Sequence, residues 1–268
     1  MFGMFLILSL SIGATVIIFV NPLLQILSQI LLLVFFFVMS RYAKNLHQFR
    51  LSSGLFLAFG IFTMAAIVRE IAGGLVAAYL SGNQVVVPFV DTISVVAVVL
   101  LLTKASGNSM GSIYLKRGNL RLGVTAGVVG FFVLFIGILA GFQLLYGNLH
   151  GISFEELLSL LPIILILAFL NAPKEEIWFR GLFLRKSGKL FGKNAANLLQ
   201  APLFALAHLN AQYSQFGLTF QIGFLILVFS LGLFWGYLIQ RTDSILGSSL
   251  IHAGADVAIF LPILLSLL

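Results

Sequence analysis

The 268 residues are 60% hydrophobic and only 9% charged, with 15 Lys and Arg against 8 Asp and Glu, a formal net charge of +7. A soluble domain carries about 25% charged residues, so this composition, with a mean hydropathy of +1.13, excludes one and points to a polytopic membrane protein. There is no cysteine, which excludes disulfides and thiolate metal sites, and the apolar runs are too long for the strands of a β-barrel.

A spanning helix needs about 20 apolar residues. In chain order, spans are expected near 3–20, 22–40, 51–80, 85–103, 122–146, 156–187, 195–210, 217–240 and 244–267. The first two are separated only by a tight hairpin at Asn21-Pro22, and 51–80 is long enough to break at Gly73-Gly74. The expectation is an all-α polytopic membrane helix bundle of eight to nine transmembrane helices. It forms one integral membrane domain over 1–268, with N-terminal helices in 1–150. No Lys or Arg precedes Arg41, so the start lacks the positive region of a signal peptide.

Arg41, Lys44 and Arg50 fall in one loop, and Lys104, Lys116, Arg117 and Arg121 in the next but one. Arg185, Lys186, Lys189, Lys193 and Arg241 follow on the same side if the spans alternate. The opposite loops, near 21, 81–84, 147–155 and 211–216, hold none. Positive residues stay cytoplasmic, which predicts a cytoplasmic N-terminus and, with nine spans, an external C-terminus, in a cell (inner) membrane. Topology and contact with anionic lipid account for the net charge, so nucleic acid is not needed as a partner.

Three bases remain within spans: Arg69, Lys174 and Arg180. Arg69-Glu70 and Asp91 are expected to face each other across the turn near 82, most simply as an ion cluster joining two helices. The pairs Gly123/Gly127, Gly137/Gly141 and Gly232/Gly236 read as sites of close helix packing. Gly107-Asn-Ser109-Met-Gly111 matches G-x-S-x-G, but in a Gly/Ser-rich loop it lacks the strand–turn–helix context of a nucleophile.

The last hundred residues place several ionisable groups in apolar surroundings, each costing roughly 2.5–3.5 kcal/mol on insertion scales. Asn171–Gly181 reads NAPKEEIWFRG, with Glu175, Glu176 and Arg180; then come Phe204-Ala-Leu-Ala-His208 and His252-Ala-Gly-Ala-Asp256. Residues four apart share a helix face, so Glu176 pairs with Arg180, Phe204 with His208 and His252 with Asp256. Glu175 is turned about 100° from Glu176, so the two acids have different parts. At about 1.5 Å per residue, Glu175 lies about 15 Å from Arg185, His208 about 22 Å from Lys193, and His252 and Asp256 about 13 and 20 Å from Asp243. These depths let all of them meet in one cavity. Alone, His208 reads as a packing residue, Glu176–Arg180 as a structural salt bridge, and Phe204 as one of 27 phenylalanines; together they are expensive to keep without use.

A carboxylate beside an imidazole holds and deprotonates a water, the requirement of hydrolysis. A second imidazole steadies an oxyanion. Equally, Glu175, His208 and His252 are the ligand inventory of a zinc site with an open position; zinc is possible and no cofactor is favoured.

At these residues the chain resembles the CPBP family of intramembrane proteases, the CAAX prenyl endopeptidases and the bacterial Abi, or bacteriocin self-immunity, proteins. Its pattern is EExxxR, FxxxH and HxxxN or HxxxD on separate helices, and all three blocks stand here in order within roughly 156–267. The resemblance implies an intramembrane endopeptidase acting on a peptide or membrane-protein substrate. It implies Glu175 as the base with His208, Glu176 and Arg180 as orienting groups, and His252 and Asp256 at the scissile carbonyl. Asp256 stands where the prenyl endopeptidases usually have Asn, and an ionised Asp cannot donate to an oxyanion. The alternatives are a proton-coupled transporter built on Glu175, His208 and His252, or a non-catalytic immunity or scaffold member of the family.

Overall fold

The computed structural model describes residues 22–79, 86–146, 154–209 and 217–265. The expected span 3–20 and most of the loops without positive charge lie outside these residues. Among the described residues the regular structure is helical: α1 Pro22–Asn45, α2 Arg50–Tyr79, α3 Val86–Ala105, α4 Leu120–Tyr146, α5 Phe154–Glu175, a π-helical turn Glu176–Gly181, α6 Leu182–Phe191, α7 Lys193–Ala207, α8 Leu218–Thr242 and α9 Leu246–Leu265.

Among the described residues, six stretches are long and apolar enough to cross a membrane: Leu24–Asn45, His47–Tyr79, Val86–Ala105, Leu120–Gly141, Leu158–Phe191 and Leu218–Thr242. Eight to nine were expected over the whole chain, and one difference has a visible cause. The run expected at 195–210 becomes α7, a helix of 15 residues that opens on Lys193 and ends before His208. The run expected at 244–267 forms the apolar helix α9, Leu246–Leu265, 20 residues long. The break expected at Gly73-Gly74 does not occur: α2 runs 30 residues without interruption, and no neighbouring group crowds either glycine.

Leu31, Leu101 and Val133 are among many large apolar side chains facing outward, as a lipid-solvated surface requires. Inside, the core is aromatic. Phe36 stacks on Phe59 at 5.1 Å, Phe59 meets Phe183 at 4.8 Å, Phe62 stacks on Trp178 at 4.9 Å, and Phe179 and Trp235 flank Phe204 at 5.2 and 5.8 Å. Apolar area gains little between helices already in lipid, so close packing and polar bonds hold the bundle. Helices α4 and α9 meet on small residues: a Cβ on Gly254 would overlap the Phe131 backbone, and one on Gly127 would lie 2.7 Å from Leu250 Cδ1. Of the expected glycine pairs, Gly123/Gly127 and Gly232/Gly236 pack against neighbours, whereas a Cβ on Gly137 or Gly141 would meet nothing within 4 Å among the described residues. Helices α7 and α8 are joined by Asn197 Nδ2 to the Leu233 carbonyl at 2.8 Å and Gln200 Nε2 to the Gly232 carbonyl at 2.9 Å.

Two ionic groupings brace the bundle. Arg69 Nε lies 2.6 Å from Asp91 Oδ1, as expected, but Glu70 turns to α1, accepting from Gln25 and Gln29 at 3.1 and 3.0 Å. Where α8 meets α9, Asp243 binds Lys116 with one carboxylate oxygen and Arg185 with the other, and the Arg185 guanidinium covers Tyr114 at 4.4 Å. Burial works to raise Asp243, but the hydrogen bond from Lys116 and the charge of Arg185 win and hold it below the usual carboxylate range. Burial pushes the Tyr114 hydroxyl up.

Candidate active site

The site begins with a defect in a helix. Pro162 and Pro173 both lie inside α5, and a proline offers no N–H to the preceding turn. Three residues after Pro173 the backbone widens into a π-helical turn over Glu176–Gly181, a form that concentrates at functional sites. All six of its residues are buried. Gly181 closes it, and a Cβ there would sit 2.9 Å from the Ile113 carbonyl oxygen, so only glycine admits the 110–113 turn at this distance. That turn follows Ser109 as a single 3-10 turn, without the strand of a nucleophile elbow.

Glu176 and Arg180 are both fully buried and paired, Arg180 Nη1 donating to Glu176 Oε1 at 3.1 Å. The guanidinium lies 3.7 Å from the ring centroid of Phe204 and 5.2 Å from that of Trp235, a cation held between π-faces. Glu176 Oε1 also lies 2.9 Å from His252 Nδ1. Because a carboxylate only accepts, that nitrogen carries its proton. Trp235 stacks on the His252 ring at 4.0 Å and 16°. Periodicity pairs His252 with Asp256 on one helix face, but Glu176 is the group bonded to this imidazole, and Asp256 Oδ1 lies 3.6 Å from Nε2, beyond a hydrogen bond.

His208 is fixed in the same way. Its Nδ1 lies 2.8 Å from the Phe204 carbonyl oxygen, and a carbonyl accepts only, so Nδ1–H donates and Nε2 is turned forward. The Phe204 ring meets the His208 ring at 4.5 Å. The F-x-x-x-H spacing is therefore a holder: backbone and ring of Phe204 set one imidazole, while Arg180 packs on its other side.

Glu175 stands between the two histidines. Its Oε2 lies 3.5 Å from His252 Nε2 and 3.8 Å from His208 Nε2, and this buried atom has no hydrogen-bond partner among the described residues. Its Oε1 is taken by Asn171 Nδ2 at 3.3 Å, and the same amide nitrogen donates to Asp256 Oδ2 at 3.1 Å. Asn171 thus bridges two carboxylates from α5 and α9. Sequence reasoning gave it no part, although a polar residue one helical turn before Glu175, in an otherwise apolar run, was the available signal. Lys174 Nζ approaches Asp91 Oδ2 at 3.3 Å and Glu175 Oε1 at 3.9 Å.

All six expected residues, Glu175, Glu176, Arg180, His208, His252 and Asp256, therefore gather from α5, the π turn, α7 and α9. Among the described residues, no three His, Cys, Asp or Glu side chains are arranged to hold a metal ion, and no step below passes through one.

Residues 156–258 match the family model described as type II CAAX prenyl endopeptidase Rce1-like. No curated protein and no solved structure matches the chain. The matched stretch contains every side chain of the cluster, and over these residues the chain is similar to that family.

Proposed function

We propose that the chain is an intramembrane endopeptidase of the glutamate type, hydrolysing a peptide bond with a water held at Glu175. The observation that carries the reading is the Oε2 atom of Glu175, buried, without a hydrogen-bond partner among the described residues, and facing two imidazole nitrogens at 3.5 and 3.8 Å. A carboxylate oxygen and the Nε2 lone pair of a His208 protonated at Nδ1 are both acceptors. A water donating one proton to each satisfies both.

In this scheme the water oxygen attacks the scissile carbonyl carbon as Glu175 takes its proton. The same proton passes to the leaving amine nitrogen as the C–N bond breaks, and the acid product keeps the water oxygen. His252, with Nδ1–H fixed by Glu176, presents Nε2 toward the reacting carbonyl; protonated there, it donates to the oxyanion. Asp256 accepts from Asn171 and so orients the amide. Arg180 balances Glu176. The family match supports a CAAX-type peptide as substrate, and the charge pattern supports a cytoplasmic N-terminus.

The test is hydrolysis of a prenylated CAAX peptide by purified protein in lipid nanodiscs, with mass spectrometry of the released fragment. Cleavage by the native chain and none by Glu175→Ala is expected, and exhaustive treatment with a strong chelator should leave the rate unchanged. Activity lost to the chelator and restored by zinc would overturn the glutamate-type assignment; a native chain that cleaves no such peptide would overturn the substrate assignment. Orientation is read with single cysteines at Ser106 and Asn148, which should react with an impermeant thiol reagent from the cytoplasmic and the external face respectively.

A further inference from the structure

Lys174 is the buried charge that the hydrolytic scheme leaves unused. It is 5% exposed, directly precedes Glu175, and has two carboxylates within reach. Its Nζ lies 3.3 Å from Asp91 Oδ2 but 3.9 Å from Glu175 Oε1, so only the first is within hydrogen-bond distance. Asp91 is in turn held by Arg69 of α2 at 2.6 Å on its other oxygen. Next to Arg69, Glu70 is tied to Gln25 and Gln29 of α1. A polar ladder thus crosses α1, α2 and α3, helices outside the matched 156–258 stretch, and ends on the residue beside Glu175.

What the ladder does follows from the alternative. An ammonium on a flexible four-carbon stem needs little movement to close 3.9 Å to a hydrogen bond. A closed Lys174–Glu175 ion pair would compete with the Asn171 amide at Oε1 and pull the carboxylate toward the ammonium, carrying Oε2 away from the imidazoles. Asn171, a neutral donor at 3.3 Å, is the weaker ligand of the two and keeps Oε1 only while the ammonium is engaged elsewhere.

We propose that Asp91 is a positioning residue for the site: it draws Lys174 away from Glu175, so that Glu175 stays held by Asn171 with Oε2 turned to the histidines. The N-terminal helices thereby set the state of a site whose own residues all lie elsewhere. Part of the test rests on the hydrolytic reading and part does not.

The independent part is thermal unfolding of the full chain in detergent. Coupling between positions 174 and 175 is measured from Lys174→Met, Glu175→Gln and the double variant, first with Asp91 and again with Asp91→Asn. Little coupling is expected with Asp91 present. With Asp91→Asn, Lys174 should pair with Glu175, and the coupling should appear as a difference of about 3 °C in Tm. In hydrolysis of the prenylated CAAX peptide, Asp91→Asn should lose about tenfold, within the 10²–10⁴ a general base supplies, and Asp91→Asn/Lys174→Met should recover most of it. Coupling unchanged by Asp91→Asn would overturn the proposal, as would undiminished hydrolysis by that variant. Asp91→Asn that fails to fold would overturn it too, since Lys174 would then have found no substitute partner in Glu175. If the native chain cleaves no peptide, the coupling still decides, and the failure counts against the hydrolytic reading alone.

Discussion

Asp243 and Glu175 are both carboxylates at a meeting of helices with cations nearby, and the protein treats them in opposite ways. Asp243 is half exposed, where an unpaired oxygen costs little, yet both its oxygens are bound, one by Lys116 and one by Arg185. Glu175 is 14% exposed at its side chain, where an unmatched oxygen is expensive, yet Oε2 has no hydrogen bond among the described residues. Glu176 Oε2 and the Nε and Nη2 atoms of Arg180 share that condition. The contrast lies in the carboxylates alone, since Arg185 Nε in the Asp243 cluster is also without a partner among the described residues: Asp243 has both oxygens bound, whereas the proposed scheme uses the open oxygen of Glu175 to hold its water.

The comparison breaks first at Glu175. Replacing it with Ala or Gln should remove turnover, a loss of 10²–10⁴-fold by the usual worth of a general base, while leaving the melting temperature unchanged or raised, because an unsatisfied buried acid is removed. A Gln variant that keeps more than about a tenth of the native rate would end the general-base role.

Next in size is Glu176→Ala, which leaves a fully buried Arg180 without its carboxylate. Breaking such a pair costs about 3–5 kcal/mol, so detergent stability and activity should fall together. Glu176→Ala/Arg180→Ala should recover part of the stability and little of the activity, since His252 still lacks its Nδ1 acceptor. Differential scanning fluorimetry beside the peptide assay separates the two; an unchanged melting point in the single variant would show the pair to be solvated.

Asn171→Ala should act more mildly. It removes one amide from between Glu175 and Asp256, two hydrogen bonds to charged groups at about 1.5–3 kcal/mol each at most, and returns two carboxylates to each other's field. A fall in kcat of about tenfold with KM little changed is expected, and Asn171→Gln should not restore it, because the longer arm misplaces the nitrogen.

Smallest is Asp243→Asn. Half-exposed ion pairs are worth about 0–1 kcal/mol, so stability should drop slightly, more at low salt than at high, with hydrolysis unaltered. The sign with pH follows from the lowered native value: the Asp243 contribution is fully present above the ordinary aspartate range and is lost as pH falls through the lower folded value. A shallow acid-side loss of stability in the native chain, absent from Asp243→Asn, is the expected signature. A loss of catalysis in Asp243→Asn would join the two regions that the geometry keeps apart.

Much was legible in the linear chain because lipid makes it so. In hydrocarbon a polar side chain without a purpose is costly, so Glu175, Glu176, Arg180, His208, His252 and Asp256 stood out against an apolar background, and helical periodicity assigned their pairs. The all-helical membrane class followed from composition for the same reason. The count of spans was less legible, because length and apolarity do not say whether a run such as α7 crosses the bilayer or stops inside the bundle. Tertiary structure alone decided the partners. It gave the His252 imidazole to Glu176 instead of Asp256, brought Asn171 between two acids, and turned Lys174 toward Asp91. The first depends on the phase of a π-helical turn, and all three on distances of a few tenths of an ångström between helices far apart in sequence. Periodicity along one helix carries no information about either.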